Sequence, residues 1–171
     1  MSRKTLTVGL ILAAIGVAAL VAVLNPPTTG ENDTPSPIEA TFEYFDGSEG
    51  ALADFAGKPL VVNFWASWCP ACVAEMPDFE AVHARLGDEV AFLGLNMQET
   101  DEGAARDLVD RSGITYRLGR DPDGAIFTRF GGIAMPTTIL LDERGVVAAA
   151  HSGALFADQL EVLIRREFLD R

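Results

Sequence analysis

Cysteine is nearly absent from this chain: of 171 residues, only Cys69 and Cys72 carry a thiol. That scarcity excludes a scaffold built on disulfides, which needs several bridges. It also excludes a closed zinc centre, which needs four ligands, usually as two close pairs. Histidine is as rare. His83 and His151 lie far apart and are expected at the surface without a role. Basic residues are few as well: 13 Lys and Arg stand against 25 Asp and Glu, for a formal net charge of −12. A phosphate-binding surface wants the opposite balance, so nucleic acid is excluded as a partner. The acidity reads as solubility. With 49% apolar and 22% charged residues, the chain is neither disordered nor fibrous.

What is there centres on Val61-Val62-Asn63-Phe64-Trp65-Ala66-Ser67-Trp68-Cys69-Pro70-Ala71-Cys72. The apolar run, Leu60 to Trp65, reads as a buried strand. After Cys72 the period changes: Val73, Met76, Phe79, Val82 and Leu86 recur at helical steps. A Cys-x-x-Cys therefore sits where a central strand turns into a helix, expected over Cys69 to Leu86 with Gly87 as cap and a kink at Pro77. The positive end of that helix lowers a thiol pKa, from about 8.5 to between roughly 3.5 and 7.5 in such sites. Cys69, exposed beside Trp68, is expected to attack as thiolate, and Cys72, one turn on, to resolve the mixed disulfide. Pro70 suits a first turn that has no use for its missing N–H. A purely structural bridge here would close too small a loop to constrain the unfolded chain.

The N-terminal region carries an address. Arg3 and Lys4 precede twenty uncharged residues, Thr5 to Leu24, and no basic residue follows until Lys58. Such a helix is about 30 Å long, the hydrocarbon thickness of a bilayer. The charge asymmetry places residues 1–4 as a cytoplasmic stub and everything after residue 24 outside. A cleaved signal peptide competes, but no clean Ala-x-Ala marks a cleavage point. No cysteine lies near the segment to carry a lipid. Residues 25–37 hold four of the nine prolines and read as a semi-rigid linker. Residues 38–171 are left as one soluble domain.

Within that domain, Thr41 to Phe45 reads as a short strand or hairpin ending at Asp46-Gly47, and Leu52 to Phe55 as one helical turn. Val90 to Leu95 is a second apolar strand, Asp101 to Ser112 a helix closed by Gly113, and Asp121 to Gly124 a turn before a short helix, Ala125 to Phe130. Thr137 to Leu141 and Val146 to Ala150 form a hairpin across Glu143-Arg144-Gly145. A last helix carries Phe156, Leu160, Leu163, Ile164 and Phe168 on one face. The class is α/β: a mixed sheet, parallel first and antiparallel at one edge, with helices on both faces.

Gly57-Lys58-Pro59, the Val62–Cys72 run, Glu75-Met76-Pro77 and Met135-Pro136-Thr137-Thr138 together resemble the thioredoxin fold, and within it the membrane-anchored TlpA/ResA-like thiol-disulfide oxidoreductases. The resemblance covers nearly all of residues 38–171. It implies that Pro136 is a cis proline facing the disulfide and that the Met135 backbone pairs with an extended substrate peptide. Trp68, Met135 and Pro136 would then bind substrate. It also implies that Glu75, three residues after Cys72 on the same helix face, accepts the Cys72 proton. Thioredoxin itself has an aspartate where this chain has Asn63, and an asparagine is no base, which throws weight onto Glu75.

The function expected is an extracytoplasmic exchange of disulfides with protein cysteines, without cofactor or metal. The family leans toward reduction, serving cytochrome c maturation or copper-site thiols, with a membrane thiol carrier as donor and a monomeric catalyst. Two alternatives stay open: an oxidase that forms disulfides in exported proteins, since direction rests on reduction potential, and a module that holds Cu(I) between the two thiolates.

Overall fold

The computed structural model describes residues 39–170. The candidate membrane segment and linker lie outside them; among the described residues no helix is long and apolar enough to cross a membrane. Seven strands form one sheet: β1 (Thr41–Tyr44), β2 (Glu49–Ala51), β3 (Leu60–Trp65), β4 (Ala91–Met97), β5 (Arg117–Asp121), β6 (Thr137–Leu141) and β7 (Val147–Ser152). Their spatial order is β2-β1-β5-β4-β3-β6-β7. The helices are α1 (Pro70–Leu86), α2 (Glu102–Ser112), α3 (Ala125–Arg129) and α4 (Ala157–Ile164), the last running into a wider turn, Arg165–Leu169.

β3 is the axis. All six of its residues are buried. It pairs parallel with β4, Leu60 to Ala91 through Trp65 to Asn96, and antiparallel with β6, Leu60 to Leu141 through Phe64 to Thr137. A strand buried on both faces needs apolar residues on both, which the unbroken Val-rich run supplies. On one face Leu60, Val62 and Phe64 join Phe42, Leu93, Leu95 and Phe127 of α3. On the other, Val61 meets Phe79, Val82 and Leu86 of α1 and Leu160 and Ile164 of α4. Further along that second face, Trp65 packs with Cys69, Cys72 and Met76, and with Ala105 and Leu108 of α2. The β3–α1–β4 and β4–α2–β5 crossovers step the same way across the sheet, so right-handedness puts α1 and α2 on one face.

α1 extends unbroken from Pro70 through Pro77 to Leu86. Gly87 caps it as expected, but in right-handed backbone at φ −61° rather than the left-handed form. Space requires glycine there: a Cβ would stand 2.7 Å from the His83 ring. Lys58 Nζ donates to the Gly87 carbonyl at 2.8 Å, setting a cation at the negative end of the helix. α2 is closed at the other extreme, by Gly113 at φ +67°.

Two expectations need correction. β5 carries no apolar alternation (Arg-Leu-Gly-Arg-Asp) and the sequence reading passes over it. Hydrogen bonding on both sides makes it a strand, parallel to β4 and antiparallel to β1. Gly119 leaves room for the Phe42 ring, whose Cδ2 would lie 2.5 Å from a Cβ. His83 is not a surface residue. Its ring is half-buried edge-on to Phe92 and Tyr116, with centroids 5.2 and 5.6 Å away. His151 on β7 is half-buried too.

Candidate active site

Parallel strands deliver their C-terminal ends to the same edge of a sheet, where crevices form. β3 and β4 end side by side, Trp65 opposite Asn96, so the loops that follow them are neighbours. The first carries Ser67, Trp68 and Cys69; the second carries Gln98 and Glu99.

Cys69 and Cys72 form a disulfide with Cα atoms 5.3 Å apart. Cys69 is the N-cap of α1 in extended backbone, and its Sγ accepts the Cys72 N–H at 3.2 Å. A thiolate at that atom would receive a charge-assisted bond as well as the helix field. The expected exposure of Cys69 is too generous. Only 6% of it is accessible, and Cys72 is fully buried. Cys69 is reached through a groove of about 540 Å³ that it lines with Trp68, Pro70, Gln98, Ile133 and Met135. Trp68 is 48% exposed, and Ile133 stands almost free in solvent at 90%. Among the described residues, no three His, Cys, Asp or Glu side chains converge to hold a metal ion.

Glu75 lies wholly inside the protein at 0% exposure. Its Oε1 accepts from Asn63 Nδ2 and its Oε2 from the Leu155 backbone N–H, each at 2.8 Å. Asn63 Nδ2 also donates to Thr138 Oγ1 at 3.3 Å. Burial pushes the Glu75 carboxyl up from 4.5 to about 7, while the Leu155 and Asn63 bonds hold it from rising further. A carboxyl poised near neutrality can both take and return a proton. Asn63 is therefore a donor that steadies that carboxylate. The Met135–Pro136 peptide is cis. Pro136 leads into β6, and its carbonyl accepts from Gly153 N at 2.8 Å. Met135 packs against the cysteine cluster and lines the groove.

Residues 34–161, three quarters of the chain, match the Redoxin family. The chain belongs to the Redoxin family. It is 32% identical over 117 residues to the thioredoxin-like protein YneN of Bacillus subtilis, covering 67% of this chain and 68% of that one. It is 30% identical over 122 residues to the thiol-disulfide oxidoreductase ResA of Bacillus thuringiensis, covering 71% and 70%. Among solved structures, DsbF of Mycobacterium tuberculosis superposes with a TM-score of 0.70 at 28% identity, over 77% of this chain and 97% of that one. This Redoxin-family protein is a thiol-disulfide oxidoreductase of the thioredoxin fold, with a Cys-x-x-Cys pair at the turn from β3 into α1.

The oxidoreductase site contains residues that sequence reasoning missed. Leu155 contributes a backbone N–H, which no side-chain pattern announces. Gln98 is the one non-glycine among the described residues with positive φ, at 48°, and its carbonyl accepts Trp68 Nε1 at 2.9 Å. Glu99 gathers donors from both loops. The polar run Gln98 to Asp101, between an apolar strand and a helix, is the signal that could have found the last two.

Proposed function

We propose that the protein is a membrane-tethered, extracytoplasmic reductase of protein disulfides, with Cys69 as nucleophile, Cys72 as resolving thiol and Glu75 as proton acceptor. The observation that carries the reading is Glu75: a fully buried carboxyl, pushed up to about 7 and one helical turn from Cys72. In the reduced enzyme the Cys69 thiolate attacks a substrate disulfide. A Cys69–substrate bond forms, and the first substrate sulfur leaves and takes a proton. Glu75 accepts the Cys72 proton, Cys72 attacks Cys69, the Cys69–Cys72 bond forms and the second substrate sulfur leaves. Two electrons pass to the substrate, and a thiol carrier in the membrane restores them.

The groove supports an extended peptide as substrate, with Trp68 and Ile133 offering apolar contact and Met135, ahead of cis Pro136, offering backbone. Thr5 to Leu24 supports single-pass anchoring, residues 25–37 a spacer, and the monomeric catalyst acts outside the cytoplasm. Substrates of this chemistry are the haem-attachment cysteines of cytochrome c and the thiols of copper sites.

One observation favours the opposite direction: the Cys72 N–H bonded to Cys69 Sγ stabilises a thiolate and so the reduced form, which makes a pair more oxidising. A redox titration against glutathione separates the two, with a reductase well below about −200 mV and an oxidase near −120 mV. For the roles, Cys72→Ser is expected to trap mixed disulfides on Cys69. Equal trapping by Cys69→Ser would overturn the assignment.

A further inference from the structure

Glu99 is a carboxylate to which only donors point. Its Oε2 accepts from Ser67 N at 2.9 Å and Asn96 Nδ2 at 3.1 Å. Its Oε1 accepts from Ser67 Oγ at 2.9 Å, Thr100 N at 3.0 Å and Asp101 N at 3.3 Å. Five donors exceed what fixing a surface loop asks of one side chain. Two come from Ser67, two residues before Cys69. Two are the backbone N–H groups that lead into α2, whose own N-cap is Asp101. The third side is Asn96, at the end of β4 and in register with Trp65.

A second bond crosses the same seam in the same sense. Trp68 Nε1 donates to Gln98 O at 2.9 Å, and that carbonyl is presented by backbone at φ 48°, a conformation a non-glycine residue holds only when its surroundings impose it. Glu99 is the next residue, and its bonds to Ser67 on one side and Thr100 and Asp101 on the other fix the chain there. The indole bonded to Gln98 and the sulfur of Cys69 line one groove.

We propose that Glu99 is a positioning residue for thiol–disulfide exchange, clamping the Ser67–Cys69 loop to the Gln98 loop so that Trp68 is held as the wall of the groove beside Cys69. Glu99 touches no reacting atom; it acts through Trp68. Carboxylate is required, not merely a polar side chain. In Glu99→Gln the amide NH₂ must face either Ser67 N and Asn96 Nδ2, or Ser67 Oγ, Thr100 N and Asp101 N. Three of those five donors are main-chain groups that cannot rotate into acceptors.

The test uses the full-length chain, reduced, with two probes: a disulfide-bonded peptide with apolar residues beside its cysteines, and the small disulfide 5,5′-dithiobis(2-nitrobenzoate). In Glu99→Gln, KM for the peptide is expected to rise about tenfold, the equivalent of one lost hydrogen bond, with kcat and the rate with the small probe within about twofold. NMR of the two indole N–H groups gives the signature. The Trp68 N–H, freed from Gln98, is expected to exchange with water at least about tenfold faster, while the buried Trp65 N–H keeps its protection and reports an intact fold. Adding Glu99→Gln to Trp68→Ala should cost nothing further, because both break one device. Should Glu99→Gln lose the Trp65 protection, Ser67→Ala, which removes one donor and leaves the main chain, is read the same way and should give a smaller change of the same kind. Unchanged Trp68 exchange, an equal loss with both probes, or losses that multiply in the double variant would overturn the proposal.

Discussion

Glu75 on α1 and Glu99 after β4 are the two carboxylates proposed to serve the Ser67–Cys72 segment, and their pKa values shift in opposite directions. Glu75 is inside the protein with two donors, and burial wins: its carboxyl is pushed up to about 7. Glu99 is half-exposed with five donors. Burial pulls its pKa up too, but the bonds from Ser67, Asn96 and Asp101 outweigh that and hold it below the ordinary carboxylate range. The difference teaches which carboxylate can move a proton. A group near neutrality exchanges one with a thiol at little cost, whereas a group locked as an anion serves only as an anchor.

The largest effect is expected from Glu75→Gln, which removes the proposed acceptor for the Cys72 proton and should slow the enzyme about 10²-fold, the lower range for losing a positioned base. Glu99→Gln should cost only about tenfold, most of it in KM. Steady-state kinetics of both variants with one peptide disulfide checks the ranking. Equal losses would mean that both carboxylates act in the same way.

Stability against pH separates the pair next. The folded pKa of Glu75 lies above its unfolded value, so between about 4.5 and 7 the native state holds a proton the unfolded chain releases. The native state is favoured fully below that window, and this advantage is lost as pH rises through it. At 1.36 kcal/mol per unit the loss is on the order of 3 kcal/mol. Urea melts at pH 5 and pH 8 should show it, and Glu75→Gln should flatten it. Glu99 behaves conversely: its anion stabilises above the ordinary carboxylate range, and that contribution is lost as pH falls through its depressed folded value.

Asn63→Leu is expected to act mainly on Glu75. It takes away the 2.8 Å donor that holds the carboxyl down, so the Glu75 titration should move upward by about one unit, the worth of one buried hydrogen bond. Carboxyl ¹³C shifts followed against pH measure it. The smallest effect belongs to Thr138→Val, which removes only the 3.3 Å acceptor of Asn63 and leaves Glu75 its donor. Less than about 1 kcal/mol of stability and less than a twofold change in rate are expected.

The two carboxylates also mark where sequence was legible and where it was not. β3 and α1 announce themselves, because a run buried on both faces and a helical apolar repeat are one-dimensional signals of three-dimensional burial. Cys69 and Cys72 lie in a local pattern and could be read directly, whereas Glu75 and Pro136 are marked by the resemblance. Leu155 could not, since it contributes only a backbone N–H from a residue 80 positions beyond Glu75. β5 escaped because it is held by pairing rather than composition. Glu99 looked like one more charge in an acidic chain; what distinguishes it is that five donors converge on it from two loops, a fact of register between β3 and β4. His83 misled for the same reason, since its aromatic neighbours come from β4 and from the turn before β5.

The role proposed for Glu75 is to carry the Cys72 proton. The most direct measurement is single-turnover resolution of a preformed Cys69–peptide mixed disulfide, followed by release of the peptide thiol from pH 5 to pH 9. The rate is expected to rise through an inflection near 7, the value to which burial pushes Glu75, and the Glu75→Gln variant to be slow and to lack that inflection. The same inflection in both proteins would contradict it.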